Sequence, residues 1–403
     1  MSAKNLSLWP DFPLAISLYI PEGEDDLIAA LEHPGRVCRI DIITSCSDVF
    51  AVIEAMQVPF PALTHLQLVG PENDGYDPDV LDIPDQFLGL PTLLLSARDL
   101  VSLQLESVPP TNSDYGHISP EEMVSSLAVL TKLRTLSIKR YPSEDSEPSP
   151  IPSDERRRRP DPTMLAVLPA LTQFVFGRDF EYLEDLVAQI DAPRVADVRI
   201  EYLTEEVQTR QLSRFIDRSN LKLAQFRRAQ VRFYSDQVYI DLNLPQGECL
   251  QAKFSIIMTL DYATTVSPVM YVVHVLGQLV AMTSSVGHLR VSFWTPVIPR
   301  QVGKDLLESE WLPLLRLFSA VEVLEVSGGL AGCIAPALED TAEETETLTI
   351  LLPVLRLLWL ADDNCNKPEW FLSSRQHSGR PVTIANTQDE FVERLNAHWR
   401  CQE

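Results

Sequence analysis

The stretch Ser327-Gly-Gly-Leu-Ala-Gly332 comes nearest to a chemical motif in this 403-residue sequence. Glycines after an apolar run can free backbone amides to cradle a phosphate. A phosphate loop also needs a lysine at fixed spacing, and none follows here, so the run reads as a turn after Val326. Asp25-Asp26 and Glu343-Glu344 could share a proton as acid and base. Both pairs lie in polar runs, where a solvated surface is the simpler account. Seven histidines and six cysteines are scattered, with no Cys-x-x-Cys pair and no Cys/His group at zinc-ligand spacing. Nucleophile elbow, His-Glu-x-x-His and dinucleotide fingerprint are all missing. The expectation is a non-enzymatic chain with no catalytic residue, metal or cofactor. What recurs instead is a set of mostly small or polar side chains at fixed spacing, suited to hydrogen-bonded recognition of a protein. They are His65, Gln67, Ser102, Gln104, Thr135, Ser137, Gln173, Val175, Arg199 and Glu201.

A repeated phrase positions them: hydrophobic, two variable residues, hydrophobic, one variable residue, hydrophobic. It occurs as Leu63-Thr-His-Leu66-Gln-Leu68, Leu100-Val-Ser-Leu103-Gln-Leu105, Leu133-Arg-Thr-Leu136-Ser-Ile138 and Leu171-Thr-Gln-Phe174-Val-Phe176. It returns as Val195-Ala-Asp-Val198-Arg-Ile200, Val321-Glu-Val-Leu324-Glu-Val326 and Leu355-Arg-Leu-Leu358-Trp-Leu360, with a weaker copy at Val37-Cys-Arg-Ile40-Asp-Ile42. Alternation in its second half places two side chains on one face of a strand and the residue between them on the other. First positions 37, 63, 100, 133, 171 and 195 lie 24 to 38 residues apart, the short intervals being those of leucine-rich repeats.

Helical segments precede several copies. Asp48–Gln57 begins on a capping residue, and Ser119-Pro120-Glu121-Glu122 opens a helix with a cap, a first-turn proline and acids. Glu181–Ile190, Pro268–Thr283 and Asp305–Phe318 are further helices, and Val238–Leu244 and Phe254–Leu260 further strands. Helix alternating with strand predicts an α/β solenoid over residues 1–403, an irregular horseshoe with a parallel sheet on its concave face and helices outside. The ten residues named above would line that concave face. The proline- and charge-rich stretch 141–162, with Arg156 to Arg159, is expected to be a flexible loop insertion. Residues 361–403, with Trp370-Phe-Leu and Phe391 to Trp399, are expected to cap the open end.

Hydrophobic residues make up 45% and charged residues 22%, which is a folded composition. The excess of 57 acidic over 33 basic residues gives a formal charge of −24. That field repels phosphate backbones and anionic lipid, which argues against nucleic-acid and membrane partners and favours a basic protein surface. The most apolar stretch, Val269–Met282, is too short to cross a bilayer and contains His274. The start of the sequence carries no apolar signal-peptide run, so an intracellular protein, cytoplasmic or nuclear, is expected.

Several phrases resemble the leucine-rich-repeat portion of the fungal, mushroom-type F-box-like proteins. They include Leu31-Glu-His-Pro-Gly-Arg-Val-Cys-Arg-Ile40, Ala55-Met-Gln-Val-Pro-Phe-Pro-Ala-Leu63 and Leu93-Leu-Leu-Ser-Ala-Arg-Asp-Leu-Val-Ser-Leu103. Gly116-His-Ile-Ser-Pro-Glu-Glu-Met123 and Glu181-Tyr-Leu-Glu-Asp-Leu-Val-Ala-Gln-Ile-Asp-Ala-Pro193 add to them. The resemblance implies that the repeats recruit the substrate of a cullin–RING ubiquitin ligase, whose F-box docks on a Skp-type adaptor. This sequence opens at Leu8-Trp9-Pro10, about where the F-box of such proteins has ended. The expectation is a substrate-binding arm without its own F-box or Skp contact. Pro84-Asp-Gln-Phe-Leu-Gly89 also runs directly into Leu90, where similar proteins hold another repeat. An adaptor-independent binding scaffold and a non-functional truncated gene product are the alternatives.

Overall fold

The computed structural model describes residues 12–18, 31–43, 58–70, 89–106, 118–139, 165–177, 180–202, 209–223, 226–244, 252–259, 267–294, 308–340, 351–361 and 368–400. The expected helix Asp48–Gln57 and loop 141–162 lie outside them. The protein is mixed α/β with large, mostly parallel sheet structure. Internal packing divides it into two compact units, Met1–Ile200 with Arg214–Asn220, and Glu201–Ser213 with Leu221–Glu403.

The strands of the first unit, in chain order, are β1 (Leu14–Leu18), β2 (Val37–Ile43), β3 (His65–Val69), β4 (Ser102–Glu106), β5 (Thr135–Lys139), β6 (Ala166–Val167), β7 (Gln173–Gly177), β8 (Ile190–Asp191) and β9 (Asp197–Tyr202). The division between units falls within β9. Short β6 and β8 pair with each other, and the rest run in the order β1-β2-β3-β4-β5-β7-β9. From β1 to β7 each neighbour is parallel. In this unit the copies from Leu63 onward build the same local geometry. The amide of its first hydrophobic closes a tight turn onto the carbonyl three residues back: Leu63 to Phe60, Leu100 to Ala97, Leu133 to Leu130, Leu171 to Leu168 and Val195 to Ala192. The next residue then bonds across to its counterpart in the preceding copy, from Thr64 to Cys38, Val101 to Thr64, Arg134 to Val101, Thr172 to Arg134 and Ala196 to Thr172. These bonds enforce the register in which every strand starts level with its neighbours. Leu66, Leu68, Leu103, Leu136, Phe174, Phe176, Val198 and Ile200 point to one face and are buried.

Helices α1 (Gly89–Ser96), α2 (Pro120–Leu127) and α3 (Phe180–Ala188) supply the apolar residues that cover this face. α2 starts as its sequence predicts: the Ser119 side chain accepts from the Glu122 amide, and the Glu122 carboxylate accepts from the Ser119 amide. Its Met123, Val124 and Leu127 are buried, as are Leu183, Leu186 and Val187 of α3. Helix α4 (Arg210–Arg218) is shared between the units at Ser213 and Arg214. In the first unit the Phe215 ring lies 5.5 Å from that of Phe174.

The second unit contains β10 (Arg228–Phe233), β11 (Gln237–Asn243), β12 (Lys253–Thr259), α5 (Pro268–Gln278), α6 (Val280–Thr283), β13 (His288–Phe293), α7 (Glu308–Arg316), β14 (Val323–Ser327), α8 (Ala331–Asp340), β15 (Leu357–Leu360), α9 (Glu369–His377), β16 (Thr383–Ala385) and α10 (Gln388–Arg400). Its strands run in the order β12-β11-β10-β13-β14-β15-β16. The turn and cross-bond pattern continues, with Val321 bonded to Phe318 and Leu355 to Leu352, then Glu322 to Gly287 and Arg356 to Glu322.

Two expectations need correction here. The sheet is not parallel throughout, because β10, β11 and β12 form an antiparallel meander. Only Tyr234, Ser235 and Asp236 join β10 to β11, and so short a link permits a hairpin but no crossover. The single helix expected over Pro268–Thr283 is two: the Leu279 amide bonds Leu276 rather than Val275, and Leu279 leaves helical geometry at φ −111°, ψ 30°.

Candidate recognition face

In-register parallel pairing turns the variable residues of the phrase into rows. Arg39, His65, Ser102, Thr135 and Gln173 stand side by side on β2, β3, β4, β5 and β7. Asp41, Gln67, Gln104, Ser137 and Val175 form the next row. Neighbouring strands are about 4.8 Å apart, so each row is a ladder of hydrogen-bonding groups at near-constant pitch. His65, Gln67, Ser102, Gln104, Thr135 and Gln173 are all partly exposed. Opposite to the buried leucines, they share one face because strand side chains alternate.

Ser137 and Val175 differ from the rest. They retain only 8% and 9% exposure, so they form the floor of the second row rather than a contact surface. At β9 the residue in phase with His65 is Asp197, which the sequence reading passed over for Glu201. The Asp197 carboxylate accepts from Gln173 Nε2 at 3.3 Å, extending the first row. Arg199 is exposed and Glu201 partly so, the latter belonging to the second unit. Asp197 is the third position of the phrase Val195-x-x-Val198-x-Ile200, in period-two phase with Arg199 and Glu201 on β9.

Charge on this face is closed locally. Arg39 Nε lies 2.6 Å from the largely buried Asp41 carboxylate, and Lys139 Nζ is 3.9 Å from Glu106 on the adjacent strand. His65 Nδ1 is 2.9 Å from the Thr64 hydroxyl, which fixes the ring beside its own strand. Between these pairs the rows from β3 to β7 are rich in amides and hydroxyls, and charge returns at Asp197 and Arg199 of β9. Such a surface can exchange hydrogen bonds with a partner, provided each amide and hydroxyl that loses water finds a matching group.

The corresponding face of the second unit is chemically different. Asp241 accepts from Arg232 and from the Ser255 hydroxyl, and is buried beneath them. Glu325 lies 3.0 Å from Arg290 Nε and 3.3 Å from His288 Nε2. Row by row, Gln230, Arg290, Glu325 and Trp359 are adjacent, as are Arg228, His288, Val323 and Leu357. Apolar Val323, Leu357 and Trp359 thus replace the small polar residues of the first unit. Sequence reasoning missed this, although the signal was present in the third position of the last two phrases, Val323 and Leu357, and in the fifth of the last, Trp359.

The glycine-rich run is a turn. Gly328 and Gly329 have φ of 77° and 81°, and a Cβ on Gly328 would stand 2.2 Å from the Phe293 carbonyl oxygen. Only glycine fits that approach. Among the described residues no group of three or more His, Cys, Asp or Glu side chains could hold a metal ion, and no helix is long and apolar enough to cross a membrane. No protein-family model matches the chain, and no curated protein is significantly similar to it.

Proposed function

We propose that the chain is a leucine-rich-repeat solenoid that recognises a protein partner through the polar sheet face of its first unit, acting as the substrate-binding arm of an F-box-type ubiquitin ligase. The observation that carries the recognition reading is the pair of registered rows, with His65, Ser102, Thr135 and Gln173 in one and Gln67 and Gln104 in the other. A parallel sheet is usually covered on both faces and apolar on both. Here one face is leucine and phenylalanine, while the other is amide, hydroxyl and imidazole. The recurring turn and cross-strand bond at each phrase further support a repeat architecture. The ligase assignment rests on the resemblance to mushroom-type F-box-like proteins in the phrases quoted above.

The test is affinity purification from a basidiomycete lysate, with mass spectrometry, of the chain and of its Ser102→Arg/Gln104→Arg double variant. A protein captured by the native chain and lost with the variant, at an unchanged melting temperature, supports recognition by this face. Equal capture by both overturns it. A version extended upstream by an F-box that also recovers a Skp-type adaptor and a cullin supports the ligase arm. Capture of the same partner by that version with neither protein makes the chain an adaptor-independent scaffold.

A further inference from the structure

The face of the second unit formed by β13, β14 and β15 is not open, because α10 lies across it. Phe391 stacks on Trp359 with ring centroids 4.8 Å apart and meets the His288 ring edge-on at 6.4 Å. It is buried in a cluster with Val323, Leu357 and Ala385, against which Trp359 and Leu395 also pack. One turn further, His398 Nε2 is 3.0 Å from a Glu322 carboxylate oxygen. Trp399 reaches Gly287, its Cη2 standing 3.7 Å from where a Cβ would be. Phe391, Leu395, His398 and Trp399 have i, i+4, i+7 and i+8 spacing, which is one stripe of a helix.

The strip and the helix match in chemistry as well as position. Val323, Leu357 and Trp359 are apolar at strand positions that hold His, Ser, Thr and Gln in the first unit. At the border of the strip Glu325 is taken up by Arg290 and His288 of the sheet, while Glu322, 3.9 Å from Arg356, also meets His398 of the helix. Yet the attachment is slight. Of the described α10 side chains, Phe391 alone is buried, while Leu395, His398 and Trp399 are partly covered and Val392 is 45% exposed. Elements held by so little burial open far more readily than the sheet beneath them.

We propose that this face is a helix-docking surface, occupied in cis by α10 and yielded to an amphipathic helix of a protein partner. That helix would carry an aromatic residue at i, leucine at i+4 and a cation at i+7. The proposal concerns the second unit and is independent of recognition by the first. Opening of α10 leaves Val323, Leu357 and Trp359 as an apolar strip and frees the side of Glu322 that His398 occupies, which selects an aromatic anchor followed by a group able to pair with that carboxylate.

The test uses a fluorescent peptide of residues 386–400 as the helical probe, with the full chain and its Phe391→Asp variant. The variant, with its own helix unseated, is expected to bind the probe at least tenfold more tightly than the native chain. Equal affinity, or no binding by a variant whose circular dichroism is native, overturns the proposal. Should the variant fail to fold, hydrogen exchange on the native chain decides. Amides of α10 exchanging at least a hundredfold faster than those of Leu324 and Val326 support displacement, and equal protection overturns it. Concentration-dependent dimerisation that alone accounts for probe binding assigns the face to a second copy and overturns the partner-helix reading.

Discussion

Leu66→Ala and Leu136→Ala each truncate a side chain with almost no solvent exposure in the first unit. Each is expected to cost roughly 2–5 kcal/mol, the transfer of the lost methyl groups plus the cavity left behind. Gln67, next to Leu66, and Ser102, level with Thr135 beside Leu136, lie on the opposite face, and Gln67→Ala and Ser102→Ala are expected to change stability within about 0.5 kcal/mol. Urea unfolding of the four variants checks the alternation, and near-equal effects would show the wrong register. Arg375 raises a different residue-level question. Its guanidinium is buried and donates to the carbonyls of Pro353 and Leu355 at 3.0 to 3.2 Å, beside Leu352 at φ 47°. Burial, and then the charge of Arg380, lower its pKa from the usual arginine value. The group still holds the strained approach to β15 by charge-assisted bonds. Arg375→Met is expected to cost roughly 2–3 kcal/mol by leaving those carbonyls unpaired. Arg375→Lys should recover only part of that, since a single ammonium cannot reproduce the fork. Full recovery by lysine in a thermal melt would refute the geometric argument.

At the scale of elements, α10 is held in part by its own start. The Glu390 amide donates to Thr387 Oγ1, and the Glu390 carboxylate accepts from the Asn386 amide at 2.8 Å and from Arg394. These bonds, that from the Asn386 backbone first, hold the Glu390 pKa below the ordinary glutamate value. A folded pKa lower than the unfolded one gives a contribution present above the unfolded value and lost as pH falls through the folded value. Acidification below the usual carboxylate range is therefore expected to loosen α10, with Trp359 and Trp399 fluorescence moving toward that of water. Glu390→Gln should shrink the acid-dependent part of that change, and an identical transition in the variant would locate it elsewhere. Elements were legible wherever a local rule decided them. Period-two alternation marked β3, β4, β5 and β7, and Ser119-Pro120-x-Glu122 marked the start of α2. β1 was missed because Phe12-Pro13-Leu14 lacks the phrase, and strand direction at β11 because it depends on a three-residue link rather than on any pattern. Docking of α10 depends on which strands its stripe meets, and only the outward Val323, Leu357 and Trp359 hinted at a cover.

For the molecule as a whole, the decisive quantity is the formal charge of −24, set by 57 acidic against 33 basic residues. The polar rows of the first unit carry little of it, since Arg39 with Asp41 and Lys139 with Glu106 are paired. If the rows are the recognition face proposed above, long-range attraction and short-range reading are separated: the acidic surface would draw a basic partner in, and the rows would sort it by hydrogen bonds. Such a division has a kinetic signature. Raising salt from about 0.1 M to about 1 M shortens the Debye length from about 10 Å to about 3 Å. The association rate with the partner captured by the first unit is then expected to fall by about tenfold or more, because steering is screened. The dissociation rate should stay nearly constant, because the bonds that hold the complex are short and neutral. Surface-plasmon measurements across that range separate the two rates. A salt effect confined to dissociation would place buried ion pairs at the interface and move the recognition site away from the rows of His65 and Gln67.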